Sequence, residues 1–151
     1  SGAAGTLAAW CQVSAAGDWT DATQRAVCQL RVDGSNLVLL RKSSTSNLVN
    51  VIYTAGGTSK TVNVANSTTA WFHLAITWSA GADQMIAYLN GAQSGATQTG
   101  LGVFTGALAT TSTCVAAATT TPTQPWKGTL AHVAVWSSAL SAAQIATLAV
   151  I

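Results

Sequence analysis

Short runs of alternating apolar and polar residues, each closed by a turn-forming pair, recur along this chain and leave few architectures open to it. A strand points successive side chains to opposite faces, so alternation at period two marks a strand with one face buried. Candidate strands are Thr6–Ser14, Arg25–Arg31, Asn36–Arg41, Leu48–Thr54, Thr58–Val64, Phe72–Ser79, Met85–Asn90, Cys114–Ala118 and Thr129–Trp136. Asp33-Gly34 and Gly56-Gly57 separate neighbouring runs at hairpin distance, and Asn90-Gly91 supplies two residues that tolerate positive φ. Many short strands with this punctuation predict an all-β fold, a two-sheet antiparallel jelly-roll sandwich. One segment departs from the period: Ser141-Ala-Ala-Gln144 is a capping box, and Ile145 and Leu148 follow three apart, which predicts a short C-terminal helix. The Thr- and Ala-rich stretch 107–124 reads as partly loop.

The chain has 151 residues, a length that suits one domain, and with no internal repeat or linker residues 1–151 read as a single module. Asp, Glu, Lys and Arg make up only 7% of it, against about 25% in a typical soluble domain, and Glu is absent. Its surface must therefore be built from Thr, Ser, Asn, Gln, Ala and Gly, and its weak self-repulsion suits a component of an assembly or an exported protein. The six cations are scattered, with only Arg41 and Lys42 adjacent, so no nucleic-acid partner is expected. The apolar run from Leu130 to Ile151 is interrupted by His132, Ser137, Ser138, Ser141, Gln144 and Thr147, so no membrane span is expected either. The N-terminal residues lack the charged and apolar blocks of a signal peptide.

Three cysteines, Cys11, Cys28 and Cys114, have no metal-type spacing, and an odd number cannot all pair within one chain. Cys11 shares strand parity with Leu7, Ala9 and Val13, and Cys28 with Ala26, Leu30 and Val32, so both read as buried apolar thiols. A Cys11–Cys28 bridge remains open at this level.

Chemistry leaves few traces. A glycosidase needs two carboxyls flanking the scissile bond. The nearest acidic pair, Asp18 and Asp21, brackets Trp19 in "AGDWTDAT", where aspartates read as turn caps. His73 and His132 sit in strand patterns with no nucleophile elbow and read as packed or surface histidines. No catalytic and no metal-ligating residue is assigned. Trp10, Trp78, Tyr88 and Trp136 lie within strand patterns and read as core. Trp19 and Trp126 fall near strand ends or loops, where a ring can stack on a sugar or anchor a protein contact. With the flanking Asp18 and Asp21 they form the candidate ligand-binding set.

Three segments in order, "GTLAAWCQV", "WFHLAITWSAGADQMIAYLNG" and "WKGTLAHVAVWSSALSAAQIATL", resemble signatures of the laminin-G-like, concanavalin A-like lectin/glucanase superfamily. The residues that carry the likeness are Trp10; Trp71, His73, Leu74, Ala75 and Trp78; Tyr88, Leu89, Asn90 and Gly91; and Trp126, Gly128, Trp136, Leu140, Ser141, Gln144 and Ile145. The resemblance implies the same jelly roll. Members of the family that bind calcium use acidic loop residues, and this chain has only Asp18, Asp21, Asp33 and Asp83 and carries Ala131, His132 and Gln144 where acids are common. The family's calcium positions are thus largely missing, so no cofactor is expected, and Ca2+ is the alternative the resemblance leaves open.

These features predict a non-enzymatic structural or interaction module that decorates a larger assembly such as a bacteriophage virion, with other protein subunits, including copies of itself, as partners. The alternative is a carbohydrate-binding, lectin-like module of a secreted or cell-surface protein, with a glycan as partner. The corresponding locations are a virion surface or the extracellular space.

Overall fold

A computed structural model describes residues 2–150. Ten strands and one helix follow in chain order: β1 Ala4–Val13, β2 Arg25–Arg31, β3 Leu37–Lys42, β4 Leu48–Ala55, β5 Thr58–Ala65, β6 Phe72–Ser79, β7 Gln84–Leu89, β8 Ala92–Gln93, β9 Cys114–Val115, β10 Gly128–Trp136 and α1 Ala142–Leu148. A single 3-10 turn, Ala16–Trp19, lies between β1 and β2. The strands form two five-stranded sheets, ordered β10-β1-β6-β7-β8 and β5-β4-β3-β2-β9, with every pair antiparallel. This is the predicted jelly-roll sandwich.

The alternation read from sequence places the core. Leu7, Ala9, Cys11 and Val13 of β1 and Phe72, Leu74, Ile76 and Trp78 of β6 face Val38 and Leu40 of β3, Val49, Val51 and Tyr53 of β4, and Val62 and Val64 of β5. Side chains from two inner faces interdigitating in this way account for most of the apolar area a sandwich buries. Gly5 lies where a Cβ would come within 2.2 Å of the Trp78 ring, so only glycine lets β1 pass over that indole. Gly128 opens β10 at φ 151°, with a Cβ position 1.9 Å from the Gln12 carbonyl oxygen.

Turn chemistry closes the hairpins as the sequence predicts. Gly56 and Gly57, at φ 53° and 79°, join β4 to β5, and Asn90 and Gly91, at 49° and 81°, join β7 to β8. Strand β8 is only two residues long and was not expected from the pattern. The Cys114–Ala118 run shrinks to β9, two residues at the sheet edge, because Ala116 takes φ 63° and turns the chain out of strand geometry. Helix α1 starts with the reciprocal cap: the Gln144 N–H donates to Ser141 Oγ at 3.3 Å and the Ser141 N–H donates to Gln144 Oε1 at 2.8 Å. It drops Ile145 onto Ala8, Ala75 and Tyr88 on the outer face of the first sheet. Trp10 and Trp136 share that outer layer, with Trp10 Nε1 donating to the Leu148 carbonyl. Of the four aromatics read as core, Trp78 alone joins the space between the sheets, whereas Trp10, Tyr88 and Trp136 pack on the outer face, at the helix side.

All three cysteines are free, so Cys11 and Cys28 do not form the bridge left open above. Burial pushes the Cys11 thiol far up and the Cys28 thiol to about 12, which leaves both protonated and unreactive at neutral pH. Among the described residues no helix is long and apolar enough to cross a membrane.

Candidate functional site

Of the four residues singled out from sequence, Asp18 and Trp19 are buried, Trp126 is half-buried and Asp21 is exposed, and each is held by a different partner. Trp19 is 1% exposed; its Nε1 donates to the Thr68 carbonyl at 2.9 Å and its ring packs tilted on Phe72, with centroids 5.8 Å apart. A ring so covered offers no face to a sugar, which corrects the loop-aromatic expectation. The apolar surroundings that draw Trp19 in come from β6, distant in sequence. Trp126 is half-buried against the core and donates its Nε1–H to the Gln12 carbonyl. Asp18 is buried, accepts the Ala15 N–H at 2.9 Å and pairs with Lys127 Nζ at 2.5 Å. Asp21 pairs with Lys42 Nζ at 2.8 Å and with Arg25. These two aspartates tie loops together.

The same partners set their protonation. The Lys127 hydrogen bond holds Asp18 below the usual carboxylate range, and the Lys42 hydrogen bond does so still more for Asp21. Backbone N–H groups of Ser35 and of Gly100 and Leu101 lower Asp33 and Asp83 in the same direction. All four acids are therefore held ionised, and none is poised as a general acid at neutral pH. Among the described residues no group of three or more His, Cys, Asp or Glu side chains could hold a metal ion.

Two cavities carry little polar chemistry. His73 and His132 line a shallow one of about 250 Å³ on the outer face of the first sheet, with Trp10, Trp136 and Leu148. His73 is buried against the Trp10 ring with Nδ1 lacking a partner, and burial lowers its pKa. His132 is the bulge residue of β10, at φ 48°, opposite the register slip between Ala8 and Trp10. The other cavity, about 460 Å³, opens at the end of the sandwich among Leu30, Val38, Trp78, Phe104, Leu108 and Val135, with no charged side chain in its lining.

The outer face of the second sheet is different. Cross-strand register stacks its outward residues into three rows: Ala26, Arg41, Asn50 and Asn63; Gln29, Leu39, Ile52 and Thr61; Arg31, Leu37, Thr54 and Ser59. Arg41, Asn50 and Asn63 of the first row join Gln24 and Gln124 in one hydrogen-bonded chain. Gln124 Nε2 donates to Gln24 Oε1 at 3.1 Å, Arg41 Nη1 donates to that same oxygen at 3.0 Å, Arg41 Nε donates to Asn50 Oδ1 at 3.1 Å, and Asn50 Nδ2 donates to Asn63 Oδ1 at 2.8 Å. The middle row is apolar at its centre, and the third carries the Thr54–Ser59 hydroxyl pair at 3.0 Å. Leu39, Asn50 and Ile52 are only 6%, 6% and 8% exposed, because Ala118 packs on Leu39 and Ile52 and Gln29 Nε2 donates to the Ser112 and Ala118 carbonyls, so the face is covered at its middle strands and opens towards β5, where Ser59, Thr61 and Asn63 are exposed.

Sequence reasoning missed this face. Its signal was present: Arg41, Asn50, Asn63 and Thr61 occupy the parity opposite to the core residues of β3, β4 and β5. Only the register shows that they form a row. Trp71 was also passed over as a candidate and is the only exposed tryptophan among the described residues, at 36%.

A model of the concanavalin A-like lectin/glucanases superfamily matches residues 1–146. A search of curated proteins returned no relative. Among solved structures, the chain is similar to a native heptameric SAP-like pentraxin from Limulus polyphemus, at 17% identity and TM-score 0.71 over 98% of this chain and 70% of that one. Domain 4 of AbnA, a GH43 extracellular arabinanase from Geobacillus stearothermophilus, in complex with arabinotriose, matches at 19% identity and TM-score 0.70 over 97% of this chain and 66% of that one. The CBM40 of the Ruminococcus gnavus IT-sialidase, bound to α2,3-sialyllactose, matches at 12% identity and TM-score 0.67 over 97% and 82%. At these identities the likeness is one of fold, and it lends no support to the virion-decoration expectation.

Proposed function

Because the chain belongs to the concanavalin A-like lectin/glucanases superfamily, we propose that it is a non-catalytic carbohydrate-binding module that works outside the cell and holds its glycan on the outer face of the second sheet. The observation that carries this reading is the hydrogen-bonded row Gln124–Gln24–Arg41–Asn50–Asn63, which ends at the exposed Asn63 and Thr61 of β5.

A sugar ring has an apolar C–H face and a rim of hydroxyls, so it binds where a flat apolar patch is bordered by fixed planar donors and acceptors. Rows two residues apart along a strand lie about 7 Å apart, at ~3.3 Å per residue. A ring laid on β5 over the exposed Thr61 therefore reaches the Asn63 amide on one side and the Thr54–Ser59 hydroxyls on the other. The mutual hydrogen bonds hold the amides and the guanidinium in place before binding, which reduces the ordering cost. The ligands named for the arabinanase domain and the sialidase module, arabinotriose and sialyllactose, support a glycan as the ligand class. Four ionised aspartates support the non-catalytic part.

Thr61 and Asn63 are exposed on β5 and can be truncated without opening the core. A glycan array followed by calorimetry on the best hit should show binding to the wild type and a loss of about tenfold or more in the Thr61→Ala/Asn63→Ala variant, roughly the worth of one or two hydrogen bonds. A wild type that binds no glycan, or a double variant that binds undiminished, would refute the proposal.

A further inference from the structure

We infer that the ligand of this face carries a carboxylate, as an acidic sugar does, and that Arg41 receives it. This rests on the glycan-binding reading above and specifies its substrate class. The chain has six cations against four aspartates, and among the described residues ion pairs hold only three of the six. Arg25 and Lys42 share Asp21, and Lys127 holds Asp18. Arg31 and Lys60 make no ion pair either, but each adds to the backbone hydrogen bonds that favour the charge of Asp33 and Asp83, and Arg31 Nε donates to the Asp33 carbonyl. Arg41 has no carboxylate partner among the described residues, and burial alone perturbs it.

Its setting is nevertheless a built one. Arg41 is half-buried in the middle of the polar row, with Nε on Asn50 and Nη1 on Gln24. Both acceptors are themselves held, Asn50 by Asn63 and Gln24 by Gln124, so the plane of the guanidinium is fixed. A guanidinium has five N–H donors, and the two bonds to neutral oxygens leave Nη2 and one N–H of Nη1 without a protein acceptor. That free edge matches the two oxygens of a carboxylate.

The charge also constrains what can cover it. In the free protein, water compensates the exposed edge of Arg41. Any ligand that lies along the row from Asn63 to Arg41 displaces that water, and a neutral glycan would leave a cation covered and uncompensated. A carboxylate at the same place replaces the water with a charge-assisted pair. The adjacent Lys42 does not compete, because strand alternation turns it to the opposite side, where Asp21 and the Thr23 carbonyl hold it.

The test uses matched probes: tri-α-1,4-galacturonate against its methyl ester, and 3′-sialyllactose against lactose, by calorimetry with the wild type, Arg41→Gln and Arg41→Lys. In at least one pair the acid should bind wild type about tenfold or more tightly than its neutral partner, the size of one charge-assisted pair. That ratio should fall to within about twofold in Arg41→Gln and be only partly kept in Arg41→Lys, while the melting temperature of Arg41→Gln is not lowered. Equal binding of acid and neutral probes, or a neutral glycan from the array bound with neither acid bound, overturns the inference and leaves the glycan-binding reading standing. An Arg41→Gln variant that loses both members of a pair equally also overturns it, since Arg41 would then only shape the face. No binding to any glycan on the array removes both.

Discussion

Replacing Trp19 by alanine separates the two roles open to an aromatic in an acidic turn, core anchor or sugar platform. In the structure the side chain is fully buried, its ring lies on Phe72 and its N–H is satisfied by the Thr68 carbonyl. Truncating a buried tryptophan costs about 3–5 kcal/mol, of which the lost hydrogen bond and the ring pair are part. With an unfolding entropy of about 2.1 cal/mol/K per residue, a chain of 151 residues has roughly 0.3 kcal/mol/K in all. A loss of about 4 kcal/mol therefore lowers the melting temperature by roughly 12 °C. Trp19→Phe, which keeps a ring beside Phe72 but not the N–H, should lose less than half as much. Calorimetric melting gives the shifts, and glycan affinity measured well below the lowered midpoint should match wild type. A Trp19→Ala variant that melts within about 3 °C of wild type yet no longer binds glycan would refute the burial argument and return Trp19 to the ligand site.

Two further perturbations test the ion pairs and the buried histidine. Asp21→Asn strips the fully buried Lys42 ammonium of its counterion; because the Asp21 side chain is 27% exposed and partly screened, the loss should be about 1.5–3 kcal/mol rather than the full cost of breaking a buried pair. The folded pKa of Asp21 is depressed, so this contribution is fully present above the unfolded carboxylate pKa of about 4 and shrinks as pH falls below it, and the urea midpoints of wild type and variant should draw together progressively there. His73 is buried neutral, so the unfolded chain takes up a proton first: stability is full above about pH 6.5 and is lost as pH falls below it, with a slope that His73→Gln should remove.

The hairpin of β6 and β7 was legible in the sequence because each of its signals is local. Alternation sends Phe72, Leu74, Ile76 and Trp78 one way and His73 the other. Asn90 then closes the ladder, its amide oxygen accepting the His73 N–H and its own N–H donating to the His73 carbonyl. The cap of α1 was legible for the same reason, since Ser141 and Gln144 need only each other. By contrast, whether a turn residue faces water or the core depends on chain far away in sequence, which is why Trp19 and Asp18 looked available and are not. The β9 run was overestimated because Ala116, although its N–H still donates to the Val27 carbonyl, turns to φ 63° and takes the chain out of strand geometry, which an alanine does not signal in sequence.

By itself, then, the sequence determined that this protein is a two-sheet sandwich with a capped C-terminal helix, since periodicity, turn pairs and capping residues act over a few residues at a time. Tertiary structure alone decided that Arg41, Asn50 and Asn63, from three strands, become one row, and that Arg41 and Lys42, adjacent in the chain, part company. Strand register and the arrangement of charges are set by pairing across the whole fold, and no local stretch of sequence contains them.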